Sequence, residues 1–449
     1  MGHQGTDESR REPAAGATSS RRRDSSFETI TNLDATDWFA ACLIVALFAG
    51  YPFHRLWSRG FEFNFSYGDP VVAVVLALGV LGVFGHRAVP RYAQVVLVVA
   101  GVFLASIVVA RYTGPDYVST RTGLVALVKF LGAVAWGGAV FAVAYRRSAL
   151  LLPIAAAVSV VLGLWFAGEA LHAAVLLDEG RQTGPFHNPN IFANYLLLTA
   201  FLALYVATSW IADRIRVLGW LAVCAAAPLV GAMAVTASRG ASVGLVVGAI
   251  AVVLLSDRVR WWMATLATAL AGGVAWYVSD RADGRLAFLV DRFTSEKNLD
   301  GRLELWGLAY DAFLENPLVG IGWGQYRELA RETIGRDISA HSTFLLVAAE
   351  SGVVGLVAFL GLAAVVLYAG VQVANEAPGA AIVTAFVVGT LAQGFVADVH
   401  TFRSLWIAIG FVAVAHADRF GSVYDLRLGI YARLRERWLD PAWERVQNL

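Results

Sequence analysis

Charge is what this sequence has least of. Asp, Glu, Lys and Arg together make up 15% of its 449 residues, against roughly 25% in an average soluble domain. Too few polar side chains remain to clothe a water-facing surface, which excludes a soluble globular protein. A content of 58% apolar residues excludes a disordered one. Cysteine is nearly absent as well. Cys42 and Cys224 both fall inside apolar runs, where they are expected as small buried hydrophobes, and no disulfide framework or cysteine metal site is available. An excess of either sign of charge is also missing. The 35 basic and 34 acidic residues nearly cancel, so nucleic acid is not an expected partner. Lysine itself is scarce, at Lys129 and Lys297 alone.

What the sequence does have is long apolar runs. They lie near 36–54, 70–86, 92–110, 122–145, 149–169, 190–210, 217–236, 240–256, 262–279, 343–373, 379–398 and 402–418. At about 20 apolar residues per bilayer crossing, the expected fold class is an all-α polytopic membrane protein of about twelve transmembrane helices. Residues 1–35 are polar, with an Arg21-Arg22-Arg23 cluster, and are expected to form a disordered tail. No small-residue cleavage site follows the first apolar run, so the start does not look like a signal peptide. Residues 419–449 alternate Arg with Tyr431, Leu434 and Trp438, which fits either an amphipathic helix at the lipid headgroups or a solvated tail.

Arginine placement orients the runs. With the N-terminus inside, the inner segments carry 19 arginines and the short outer ones seven. Each early inner loop holds a pair, such as Arg146 and Arg147. The positive-inside rule therefore puts both termini in the cytoplasm. One outer segment, 280–342, has about 60 residues, too many for a simple connection. It is expected to hold amphipathic helices and the chemistry. Within it, Leu305, Leu308, Ala309, Ala312 and Phe313 form a helical stripe that ends at Asn316-Pro317, with Arg302 one turn before it. The following Gly320-Ile321-Gly322-Trp323-Gly324 lacks the flanking strand of a nucleotide loop and reads as a tight turn.

Candidate chemistry gathers on the outer face. His341 stands at the membrane boundary at the head of an apolar helix. A lone histidine there is often satisfied by water or backbone. Glu350, nine residues on, falls on the opposite face of a continuous helix and about 13 Å deeper, so it packs or caps near Gly352 rather than orienting His341. Arg239 sits among small residues between two helices. Asn188, Asn190 and Asn194 open another helix, where Asn is often a cap. Arg403 lies in the tight turn between the last two runs. Arginine suits phosphate because its planar fork binds bidentately and never deprotonates. Lys129, deep in a run, is either internally paired or functional.

Taken in order, Gly184-Pro185-Phe186-His187-Asn188-Pro189-Asn190, Ser238-Arg239-Gly240, Gly301-Arg302 through Trp306, Asn316-Pro317 to Gly324, and His341-Ser342 to Glu350-Ser351-Gly352 resemble the O-antigen ligase and Wzy-type polymerase superfamily. The resemblance covers roughly residues 180–365, and the large outer loop after the ninth span fits it. His187 departs from the pattern, standing where a small or polar residue is expected. The resemblance implies a metal-independent, inverting glycosyltransferase of the plasma membrane without cofactors. Such an enzyme moves a glycan from an undecaprenyl-pyrophosphate carrier to a lipid or glycan acceptor on the outer face, as in lipopolysaccharide or other polysaccharide biosynthesis. It implies pyrophosphate binding by Arg239 and Arg302 and a base role for His341. Asn188, Asn190, Glu350 and Arg403 are the further candidates for substrate contact. Repeat-unit polymerase and protein O-glycosylation enzyme are variants of the same reading. A twelve-helix secondary transporter is the rival, but it calls for matched halves, and the long loop after the ninth span has no counterpart in the first half.

Overall fold

The computed structural model describes residues 33–53, 66–81, 119–177, 180–212, 216–256, 297–374 and 378–420, with scattered positions between 83 and 112. The two expected tails lie outside the described residues except at 33–35 and 419–420, where Ala35 opens the first helix and Arg419 and Phe420 close the last. The apolar run at 262–279, the first part of the outer loop and most of the run at 92–110 lie outside them as well. All regular structure among the described residues is helical. In chain order the helices are α1 (Ala35–Gly50), α2 (Gly68–Val80), α3 (Thr120–Ala144), α4 (Ser148–Leu176), α5 (Pro189–Ala212) and α6 (Arg216–Val235). There follow α7 (Arg239–Leu255), α8 (Lys297–Glu315), α9 (Tyr326–Ile334), α10 (Thr343–Ala374), α11 (Pro378–Gln393) and α12 (Arg403–Phe420).

Ten of the twelve apolar runs coincide with helices, while α8 and α9 belong to the outer loop. Five helices (α3, α4, α5, α6 and α10) are long and apolar enough to cross a membrane, and α1, α2, α7 and α11 are shorter apolar helices. Their outward faces carry Val161, Trp165, Leu221, Ile250, Leu254 and Val357, all exposed. In water such a surface would be a large apolar patch; in a bilayer it is the face that meets lipid. Cys42 and Cys224 lie on these faces, exposed rather than buried as expected. The reason is physical: a helix that is apolar all round carries no stripe to say which residues point inward.

Lipid tails are as apolar as the helices, so packing here depends on close approach at small residues. Along α7, Gly240, Gly244 and Gly248 recur every fourth residue against α11. A Cβ at Gly389 of α11 would come within 2.2 Å of the Gly244 carbonyl oxygen, and one at Gly248 within 3.2 Å of the Ala385 carbonyl. The same device joins α3 to α12, where a Cβ at Gly410 would sit 2.7 Å from the Gly137 carbonyl. These contacts bring the first turn of α7 beside the last turn of α11.

The ends of the helices sort into two groups. At one end Arg147 Nε donates to Asp37 Oδ1 at 2.6 Å, and Arg146 N donates to Asp418 Oδ1 at 3.1 Å. Asp37 also closes a capping box with Asp34 at the start of α1. The opposite end gathers the start of α3, the 180–190 segment, the α6–α7 turn, the 297–342 segment and the α11–α12 connection. That division matches the one drawn from arginine placement.

Candidate active site

The 297–342 segment folds as a small cap with its own apolar core. Leu305, Ala309 and Ala312 of α8 are buried, and Ala309 and Ala312 join Ile321, Tyr326, Ala330, Ala340, Leu346 and Ala349 in one cluster. The helix ends at Glu315, directly before Asn316-Pro317. Tyr326 Oη donates to the Leu305 carbonyl at 2.6 Å, tying α9 to α8. The glycine run between them is a turn, with Gly320, Gly322 and Gly324 all at positive φ. It docks where α10 breaks at Gly352 (φ 63°, ψ −165°). Ile321 N donates to the Ala349 carbonyl at 2.9 Å, Gly322 N to the Glu350 carbonyl at 3.0 Å and Val353 N to the Pro317 carbonyl at 2.8 Å. A Cβ at Gly320 or Gly352 would strike the facing backbone at 2.4 or 2.3 Å, so both positions require glycine. Glu350 is buried, and its Oε1 accepts from Tyr326 N at 3.1 Å, capping α9. Gln325 fixes the cap to the bundle by donating to the Ser119 carbonyl and accepting from Ser119 N, both at 2.8 Å.

His341 closes the cap in a left-handed conformation (φ 53°), which is uncommon for a residue with a Cβ. Its Nδ1 lies 3.8 Å from Asp398 Oδ2 on the α11–α12 connection, with about a third of the histidine side chain and a fifth of the aspartate exposed. That separation is an ion-pair distance, longer than a hydrogen bond. The two backbones are locked together by Thr343. Its N donates to the Gly394 carbonyl at 2.7 Å, its Oγ1 donates to the Ala397 carbonyl at 2.8 Å, and the same Oγ1 accepts from Val399 N at 2.8 Å. Burial pushes the His341 imidazole below its usual pKa. The Asp398 carboxylate opposes that shift, while the guanidinium groups of Arg302 and Arg327 add to it. Three charged side chains from three elements thus act on one imidazole, whose charged form burial disfavours.

Arg239 begins α7 and is half-buried. The turn before it is strained, with Ala237 at φ 50°, and Ser238 caps the helix by accepting from Ala241 N at 3.4 Å. Asn190 Oδ1 accepts from Ser238 Oγ at 3.0 Å and from Arg181 Nη2 at 2.9 Å, while Arg181 Nε donates to the Thr236 carbonyl at 2.6 Å. Asn190 therefore braces the turn that carries Arg239. Asn188 Oδ1 accepts from Asn190 N and Ile191 N, the geometry of a cap on α5. Gly240 lies against Gln393 and Val396 (Cβ distances of 3.1 and 3.5 Å), so Arg239 begins beside the connection that carries Asp398.

Arg403 is held elsewhere. Its Nη2 donates to Asp69 Oδ2 at 2.9 Å, and Asp69 accepts further from Trp136 Nε1 at 2.8 Å and Ser66 N at 2.6 Å. Lys129 is exposed on the outward side of α3, and His187, exposed in a left-handed turn (φ 52°), precedes α5. Arg302, Arg239 and His341 thus stand at one end of the bundle, with Arg302 and His341 in electrostatic contact. Sequence reasoning does not single out Asp398, Arg327 or Asp69. Asp398 closes an apolar run and Arg327 is one of eight basic residues in the outer loop, so their positions offer only weak signals. Among the described residues no group of three or more His, Cys, Asp or Glu is arranged to hold a metal ion.

Comparison with known proteins adds a family to this geometry. No curated protein sequence matches the chain. Residues 224–360 match a family model described as O-antigen ligase. The matched stretch runs from α6 into α10 and holds Arg239, Arg302, Arg327, His341 and Glu350. Over that stretch, in a polytopic helical bundle capped at one end, the chain is similar to the O-antigen ligase family, and the match supports a place in the O-antigen ligase and Wzy-type superfamily of membrane glycan ligases and polymerases.

Proposed function

We propose that this protein is a membrane glycosyltransferase that moves a glycan from an undecaprenyl-pyrophosphate carrier to an acceptor hydroxyl on the outer face of the plasma membrane. The observation that carries the reading is His341 beside Asp398 within the influence of two guanidinium groups, at the end of the bundle where α7 presents Arg239. In the step, the acceptor oxygen attacks the anomeric carbon and its proton passes to His341. The bond from that carbon to the pyrophosphate oxygen breaks, and the leaving group departs with the electron pair. Attack from the face opposite the leaving group inverts the centre. A neutral imidazole suits the base. Arg239 and Arg302 stabilise the charge that grows on the pyrophosphate. Electrostatic stabilisation of this kind usually lowers a reaction barrier more than any other single effect, and no metal is needed where arginines supply that charge.

Asp398 raises the proton affinity of His341 and stabilises the imidazolium formed. Asn188, Asn190, Glu350 and Arg403 act through the frame rather than on the substrate, as their hydrogen bonds to backbone and to neighbouring side chains support. The arginine excess at the Arg146–Arg147 end supports a cytoplasmic location for that end and for both termini. The test is incubation of the purified protein with a defined undecaprenyl-pyrophosphate glycan and separate acceptors. A lipid-linked core sugar as the productive acceptor makes it a ligase, and a second carrier-linked repeat unit makes it a polymerase. Glycan carried across vesicles with no bond formed would make it a transporter and end the proposal.

A further inference from the structure

The pairing of Asp398 with His341 uses one carboxylate oxygen, Oδ2. The other, Oδ1, is buried and has no hydrogen-bond partner. Two residues on, in the short 3-10 turn Val399–Thr401, His400 is 4% exposed, and its Nδ1 is also buried without a partner. One is an acceptor and the other can be a donor, and the two side chains interact electrostatically. Leaving a buried polar atom unsatisfied forfeits its solvation without replacement, and such atoms are few in native proteins. Two complementary ones on neighbouring residues are most economically explained by each other.

We propose that His400 is a positioning residue for the reaction, donating its Nδ1–H to Asp398 Oδ1, directly or through one bound water, and so fixing the carboxylate that faces His341. The inference rests on the roles proposed above for His341 and Asp398. The surroundings suit the task. The His400 ring is wedged edge-on against Trp323 (centroids 5.3 Å apart, 70°) and beside Phe130 (6.5 Å). Its carbonyl accepts from Trp406 Nε1 at 2.8 Å, which holds the turn. Burial pushes its pKa down to about 4, partly offset by Asp398, so it stays a neutral donor across the working range and adds no second positive charge. His341, Glu350 from α10 and Tyr326 from α9 also interact electrostatically with Asp398, Arg302 and Arg327 act on His341, and Arg239 begins beside the same connection. Glu350 and Tyr326 are engaged in holding the cap, while His400 Nδ1 has no hydrogen-bond partner two residues from the carboxylate.

The rival role for His400 is that of an aromatic filler between Trp323 and Phe130. The full-length protein in detergent or liposomes separates the two through His400→Phe, which fills the space without a donor, and His400→Asn, which keeps a donor at the Nδ1 position. The expected result for His400→Phe is wild-type thermal stability with transfer reduced about ten- to a hundredfold, the scale of one hydrogen bond to a charged group. The carboxylate is then free to turn from His341, so the acid limb of the rate profile moves to lower pH, as in Asp398→Asn. His400→Asn restores most of the rate. A wild-type rate and profile in His400→Phe overturns the proposal. Should the Phe protein not accumulate, His400→Asn is compared with His400→Ala per folded molecule; equal rates overturn it equally. His341→Ala and Asp398→Asn are run beside these variants. Full activity in both would end the parent reading, whereas their loss alongside an unaffected His400→Phe would end this inference alone.

Discussion

Two acid–base pairs stand at the same end of the bundle and are built in opposite ways. In Asp69–Arg403 the ion pair is closed at 2.9 Å, and the carboxylate also receives the Trp136 indole N–H and the Ser66 amide. Both oxygens of that carboxylate are engaged, and the pair clamps α2, α3 and α12 together. In Asp398–His341 the partners stand 3.8 Å apart, only one carboxylate oxygen faces the histidine, and the histidine backbone is held at φ 53°. Backbone strain of this kind persists where the surrounding structure over-determines it, which is characteristic of functional sites. The first pair uses charge to hold helices; the second, in the function proposed above, keeps charge available for a substrate.

The contrast can be broken from either side. The largest expected effect is on the open pair. His341→Ala should lower transfer by about 10²–10⁴-fold, the range of a general base, with membrane insertion and melting temperature unchanged, as read by complementation and by scanning fluorimetry of the purified protein. Next is the closed pair. Asp69→Ala leaves the Arg403 guanidinium largely buried without its carboxylate, which should destabilise the fold by about 3 kcal/mol. The rate per folded molecule should stay near wild type. A rate loss without a stability loss would show that Asp69 and Arg403 belong to the chemistry after all.

The smallest effects sharpen the open pair by sign. Asp398 raises the His341 pKa, so Asp398→Asn should move the acid limb of the pH–rate profile to lower pH, besides slowing the reaction. Arg327 lowers that pKa, so Arg327→Gln should move the limb to higher pH. Below the limb His341 is protonated and cannot accept the acceptor's proton, so the position of the limb reports its charge directly. Shifts in the same direction, or none, would separate His341 from these two neighbours.

Much of the frame was legible because it is periodic. Of the stripe Leu305, Leu308, Ala309, Ala312 and Phe313, the first, third and fourth are buried and the other two partly so, and Pro317 marks the end of α8. The glycine run read as a turn because its spacing had no strand beside it, and three positive φ angles bear that out. Arginine pairs divided the loops into two groups, and the helix ends fall into the same two groups. Long-range partners were not legible. Asp69 and Arg403 are 334 residues apart, and a single carboxylate at the mouth of an apolar run, as at Asp398, has no pattern that names its partner. The facing of Cys42 and Cys224 was lost for a related reason, since in lipid the outward and inward sides of a helix are equally apolar.

The most direct measurement follows single-turnover reaction of the purified protein with a radiolabelled undecaprenyl-pyrophosphate glycan and its acceptor, wild type against His341→Ala. The account predicts that wild type releases undecaprenyl pyrophosphate in step with glycosylated acceptor. It predicts that His341→Ala binds the donor with similar affinity yet forms neither product at a comparable rate. Transfer by His341→Ala at the wild-type rate would contradict the central claim that this imidazole, held open beside Asp398, is the base.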